Sequence, residues 1–157
     1  MAKVLIVYYS ESGNTAKMAQ LVEKGAKKAG ADVTLKKVQD LNVDELLKYD
    51  AIIVGSPTYY GHMAADIKKM FDESVKFHGK LEGKVGAAFT SAANIGGGNE
   101  TTIRGILDCM MIHGMIVQGN HQGDHYGPVS IDAPDGRVEK QCIVLGERTA
   151  QLAEKLK

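Results

Sequence analysis

Val7-Tyr8-Tyr9-Ser10-Glu11-Ser12-Gly13-Asn14-Thr15-Ala16 changes character at its midpoint. The β-branched and aromatic run from Lys3 to Tyr9 reads as a fully buried strand, and a helical pattern begins at Thr15. Between them lie hydroxyl and amide side chains around one glycine, with no lysine or arginine. Backbone N–H groups at a helix N-terminus, reinforced by its dipole and by hydroxyl donors, hold a phosphate without any cationic side chain. Capping of the helix by Ser12, Asn14 or Thr15 is the alternative use of the same residues. A nucleoside-triphosphate P-loop is excluded, because GxxxxGK[ST] is absent and no lysine follows the turn.

The rest of the chain repeats this strand-turn-helix plan. Thr15 to Gly30 places Met18, Leu21, Val22 and Ala26 on one helical face, with Gly30 as its stop. Strands are expected at Asp32 to Val38, Ala51 to Gly55, Lys84 to Ser91 and near Met115 to Val117. Helices are expected at Val43 to Lys48, Ala64 to Val75, Glu100 to Ile112 and about Glu139 to Leu156. Strands apolar on both faces and joined by helices imply a parallel sheet covered on both sides. The expected fold is therefore an α/β doubly wound sandwich, with five parallel strands in the order 2-1-3-4-5. No linker, repeat or low-complexity stretch divides residues 1–157, so one domain is expected.

Ligands of such sheets lie beyond the carboxyl ends of the strands. The turn after the third strand, Gly55 to Gly61, carries Tyr59 and Tyr60 between Pro57 and Gly61. These tyrosines either stack on a flat ring or divide between core and solvent. The turn after the fourth strand, Thr90 to Asn99, is rich in small residues that let backbone amides approach a ligand edge. Its alternative is a flexible turn capped by Asn99. Taken together, three such turns on one edge describe a site for a phosphate-bearing planar ring. None of them holds an obvious catalytic acid or nucleophile.

The chain carries 19 basic and 19 acidic residues, so no global field marks it as a nucleic-acid or membrane-surface binder. Its two cysteines, Cys109 and Cys142, are far apart and form no CxxC. Both read as buried thiols in a reducing, cytoplasmic protein. The run Val4 to Tyr9 is too short to span a bilayer, and the N-terminus has no signal-peptide pattern. His121 and His125 have the spacing of a helical metal pair, but Gly119, Gly123 and Gly127 place them in a loop. Met110, Met111 and Met115 read as core filler. A phospho-receiver, which shares this winding, needs acidic residues where the chain has Tyr9-Ser10 and Gly55-Ser56.

At the three turns the chain resembles the flavodoxin-like FMN proteins. "SESGNT" is similar to the flavodoxin phosphate loop, whereas "GSPTYYGHMAADIKKMFD", "FTSAANIGGGNETT", "IHGMIV" and "HYGPVSI" look more like the WrbA-type NAD(P)H:quinone oxidoreductases. The resemblance implies noncovalent FMN with its phosphate on Ser10, Glu11, Ser12, Gly13, Asn14 and Thr15. It puts the isoalloxazine against Pro57, Thr58, Tyr59, Tyr60 and Gly61, and its polar edge along Ser91, Ala92, Ala93, Asn94, Gly96, Gly97 and Gly98. It further implies two-electron transfer from NAD(P)H to a quinone and a homo-oligomer, dimer or tetramer. A one-electron flavodoxin-type carrier for protein partners is the alternative, although such carriers are usually strongly acidic and this chain is neutral. Two features depart from the WrbA-type pattern: the insertion between the second and third strands is missing, and the chain has no tryptophan, with Phe77 near the matching position. His113 matches a flavin-contacting histidine of that family, yet the topology puts it at the opposite edge from its own subunit's ligand. It reads either as a contact across an oligomer interface or as a helix C-terminal histidine favoured by the dipole.

Overall fold

The structure is a computed structural model describing residues 1–157. Five strands fill the expected positions: β1 (Lys3–Tyr8), β2 (Asp32–Lys37), β3 (Ala51–Pro57), β4 (Val85–Ala92) and β5 (Ile116–Val117). A sixth, β6 (Val129–Ile131), was not expected. All pairings are parallel and the order is β2-β1-β3-β4-β5. β5 pairs with Val85 and Gly86 at the start of β4, and β6 with Thr90 to Ala92 at its end. The fifth position of the sheet is thus one interrupted strand, with residues 118–128 looping out between its halves. Arg148 on the last helix ties the loop's start through the Gln118 carbonyl, and Arg137 ties its end through Asp124 and the Val129 carbonyl.

Four α-helices cover the sheet: α1 (Asn14–Lys28), α2 (Ala65–Glu73), α3 (Asn99–Ile112) and α4 (Gly136–Leu156). Short 3-10 turns occupy Val38–Asp40, Val43–Lys48 and Ser74–Phe77. The helix α4 starts three residues before the expected Glu139, because Asp135 accepts from the Val138 N–H at 2.9 Å and caps it there.

The alternation of side chains along each strand explains the apolar runs. Leu5, Val7, Ile52 and Val54 enter the core under α2 and α3, whereas Val4, Ile6, Ala51 and Ile53 enter the core under α1 and α4. On that second face α1 and α4 cross at two glycines. A Cβ on Gly25 would strike the Ile143 carbonyl, and one on Gly146 the Val22 carbonyl, so only glycine permits this approach. No helix is long and apolar enough to cross a membrane.

Two residue placements correct the sequence reading. Cys142 is buried, its thiol pushed up to about 12 by burial, but Cys109 is only half-buried. Met110 and Met115 fill the core as expected, whereas Met111 is exposed.

Candidate functional site

At the carboxyl end of β1 the chain leaves the sheet and enters α1 through Gly13, whose φ of 96° lies in the left-handed region. Ser10 performs the capping from outside the helix: the N–H groups of Gly13 and Ala16 donate to its Oγ at 3.2 Å each. Consequently the backbone N–H groups of Ser12, Asn14 and Thr15 have no acceptor in the chain, and neither has the Ser12 hydroxyl. These donors converge at the positive end of the α1 dipole, which is the arrangement an anion requires. None of Ser12, Asn14 and Thr15, the capping residues expected from sequence, caps α1 with its side chain; Ser10 does so instead, and the donors at the other positions stay open.

The second turn is a hairpin. Tyr59 and His62 exchange backbone hydrogen bonds at 2.9 and 3.0 Å, and the residues between them, Tyr60 and Gly61, have φ of 50° and 76°. Positive φ at both central positions is the type I′ pattern. It throws the Tyr60 side chain into solvent and leaves Tyr59 at the cavity wall, so neither ring is in the core. Tyr9 packs edge-on against Tyr59 with centroids 6.2 Å apart, and its hydroxyl donates to Glu11 at 3.0 Å. The Glu11 carboxylate, by that hydrogen bond and then by its charge, raises the Tyr9 pKa; burial raises that of Tyr59.

The third turn locks onto both others. Thr90 Oγ1 donates to the Ser56 carbonyl at 2.7 Å, which leaves Thr58 Oγ1 as donor in its 2.8 Å contact with Thr90 Oγ1. The Thr58 N–H donates to the Ser91 carbonyl at 2.7 Å, and Ser91 Oγ lies 2.7 Å from Thr15 Oγ1. The Thr15 hydroxyl is therefore engaged inside the protein, unlike that of Ser12. Farther out, Thr101 Oγ1 donates to the Gly61 carbonyl at 2.6 Å, and a Cβ on Gly98 would collide with Gly61 Cα. At their outer ends the second and third turns thus meet through two glycines, Gly61 and Gly98.

These elements enclose a cavity of about 430 Å³, within the range of small-molecule sites. Its walls are Glu11, Ser12, Asn14 and Thr15 from the first turn, Pro57, Thr58 and Tyr59 from the second, and Ser91, Ala92 and Ala93 from the third. Ser10, Gly13, Tyr60, Gly61, Asn94, Gly96, Gly97 and Gly98, also expected at the site, do not line it; they shape or rim the loops that do. Asp132, directly after β6, lines it as well and was missed. Only the three-residue run Val129-Ser130-Ile131 precedes it, too short to show a strand period in the sequence.

His113 stands elsewhere, as the C-cap of α3. Fourteen residues of helix separate it from the third turn, about 21 Å of rise. Its Nε2 lies 2.7 Å from Ser74 Oγ, which donates its only proton to the Phe71 carbonyl at 2.6 Å. Nε2 is therefore the protonated nitrogen, and buried Nδ1 is a bare acceptor without a partner. Burial and the neighbouring His78 lower its pKa.

Comparison with known proteins interprets this geometry. The flavodoxin family model matches residues 6–106, from within β1 to the middle of α3. The chain belongs to the flavodoxin family. A Rhizobium rhizogenes protein named NAD(P)H dehydrogenase (quinone) is 38% identical over 197 aligned positions, covering 99% of each chain. At least 40 of those positions, 197 less 157, face a gap in this flavodoxin-family chain. A flavodoxin of Aquifex aeolicus is also 38% identical, over 160 positions covering 96% of this chain and 86% of that one. The WrbA-like flavodoxin of Agrobacterium tumefaciens superimposes with a TM-score of 0.84 at 29% identity, covering all of both chains.

Proposed function

We propose that residues 1–157 form a single FMN-binding domain acting as a cytoplasmic NAD(P)H:quinone oxidoreductase. The observation that carries the cofactor is the set of open donors at the α1 N-terminus: N–H groups of Ser12, Asn14 and Thr15 and the Ser12 hydroxyl, facing one cavity. They suit a single terminal phosphate, and the cavity beside them opens toward the Tyr59 ring. Bound FMN supplies hydride acceptance and donation at its ring, and the protein supplies placement. Ser12, Asn14 and Thr15 fix the phosphate. The hydroxyl chain from Ser56 through Thr90 and Thr58, together with the Gly61–Gly98 contact, fixes the distance between the two turns flanking the ring. Tyr59 gives the ring an apolar wall; Tyr9 packs edge-on against it, with its own hydroxyl held by Glu11. None of these groups needs to act as nucleophile or acid, in keeping with chemistry done by the cofactor.

The donor and acceptor rest on the full-length similarity to proteins named NAD(P)H dehydrogenase (quinone). A second reading, a one-electron carrier, is favoured by one specific observation. The Aquifex flavodoxin matches at the same identity over a length close to this chain's own. Steady-state assay separates the two: NAD(P)H consumption that requires both FMN-loaded protein and benzoquinone supports the enzyme. Consumption no faster than with free FMN supports the carrier. In either case a flavin can meet His113 only from a second copy of the chain, because helix α3 holds it about 21 Å from its own site.

A further inference from the structure

Asp132 is the one wall of the cavity that belongs to none of the three turns. The interrupted fifth strand puts it there: β6 pairs Ile131 with Ala92, and the Asp132 N–H donates to the Ala92 carbonyl at 2.9 Å. The Ser130 hydroxyl then donates to the Asp132 carbonyl at 2.8 Å, holding the residue at a φ of 57°, in the left-handed region. Its carboxylate has no hydrogen-bond donor and no cation in the chain, because Arg137 of α4 pairs with Asp124 of the 118–128 loop. Nor does any lysine or arginine line the cavity.

The cavity is therefore polarised by hydrogen-bonding type. At its α1 end the free amides of Ser12, Asn14 and Thr15 suit an anion, while the Glu11 carboxylate of the same turn accepts from the Tyr9 hydroxyl. Its β6 side offers an acceptor-only carboxylate, which repels an anion and calls for O–H or N–H groups. A ligand satisfying both sides is anionic at one end and carries hydroxyl groups along the chain leading from it.

We propose that Asp132 is a specificity residue of this site, accepting a hydrogen bond from the hydroxylated chain that links the flavin ring to its phosphate. The inference rests on the FMN reading above and adds a recognition element to it. A charge-assisted hydrogen bond at a solvent-exposed mouth corresponds to about a tenfold change in dissociation constant, at the low end of its usual range.

The test uses FMN, riboflavin, which lacks the phosphate, and lumiflavin, which lacks the hydroxylated chain, titrated calorimetrically into the whole apoprotein. Asp132→Gly removes the carboxylate and accommodates the positive φ. Asp132→Asn keeps an acceptor oxygen and also tolerates that backbone. Asp132→Gly is expected to weaken FMN and riboflavin alike by about tenfold and leave lumiflavin unchanged, with Asp132→Asn falling between it and wild type. Tighter FMN with unchanged riboflavin would mean that the carboxylate only opposes the phosphate, and would overturn the proposal. So would three unchanged affinities, or a loss that includes lumiflavin. Wild-type protein that binds no flavin at all would instead overturn the FMN reading itself.

Discussion

Replacing Ser12 by alanine isolates the phosphate contact, because its hydroxyl makes no hydrogen bond within the protein whereas those of Ser10 and Thr15 do. Ser10 Oγ holds two amides of the α1 entry, and Thr15 Oγ1 holds Ser91. If the Ser12 hydroxyl donates to a phosphate dianion, that charge-assisted bond contributes about 1.5–3 kcal/mol. At 1.4 kcal/mol per decade, Ser12→Ala should weaken FMN by roughly 10- to 150-fold. Riboflavin affinity and the melting temperature of the apoprotein should not move. Ser10→Ala should behave in the opposite manner. Losing a cap costs about 1 kcal/mol of the folded state, which lowers the apoprotein melting temperature by about 2–4 °C in a chain of this size. Titration calorimetry with both flavins, alongside thermal melting of the apoproteins, reads all of these quantities. Equal losses of FMN and riboflavin in Ser12→Ala, or no loss of either, would refute the assignment of the open donors to phosphate.

Gly98→Ala should separate the second and third turns, since the new Cβ meets Gly61 Cα at a φ of 102°. FMN and riboflavin should both weaken at least tenfold by calorimetry, whereas Gly96→Ala, also at a positive φ (74°) but facing open space, should do less. His113 is neutral in the fold and its pKa is lowered, so the stability it contributes is fully present above the unfolded value near 6.5. That contribution is lost as pH falls from there through the folded pKa. Acid melting between pH 7 and 5 should therefore be steeper in wild type than in His113→Gln, and imidazole nitrogen resonances should report the Nε2–H tautomer. A thiol reagent at neutral pH should modify Cys109 slowly and Cys142 only after unfolding, as peptide mapping would show.

The winding of the sheet was legible because its strands are buried on both faces, which turns β1, β3 and β4 into unbroken apolar runs, and because each run ends at a helix start. Three turns at one edge followed from that winding alone. The interrupted fifth strand was not legible: two residues at one end and three at the other, separated by a glycine-rich loop, are too short to show a period. Asp132 was lost with it, because its place depends on the pairing of Ile131 with Ala92 and not on any local motif. Within the first turn, sequence supplied the donors but not their division of labour. That Ser10 caps, Thr15 braces the third turn and Ser12 stays open depends on contacts across 76 residues of chain, from Thr15 to Ser91, which spacing does not reveal. The glycines of the third turn were read as making room for a ligand; Gly98 instead makes room for Gly61.

Anaerobic titration of the FMN-loaded protein, followed by flavin absorbance, tests the central claim most directly. NADH or NADPH should bleach the flavin stoichiometrically without any added reductase, and benzoquinone should then restore the oxidised spectrum. A flavin that stays oxidised in excess NADH and NADPH, yet is reduced by dithionite, would contradict the proposed oxidoreductase and leave the protein a carrier.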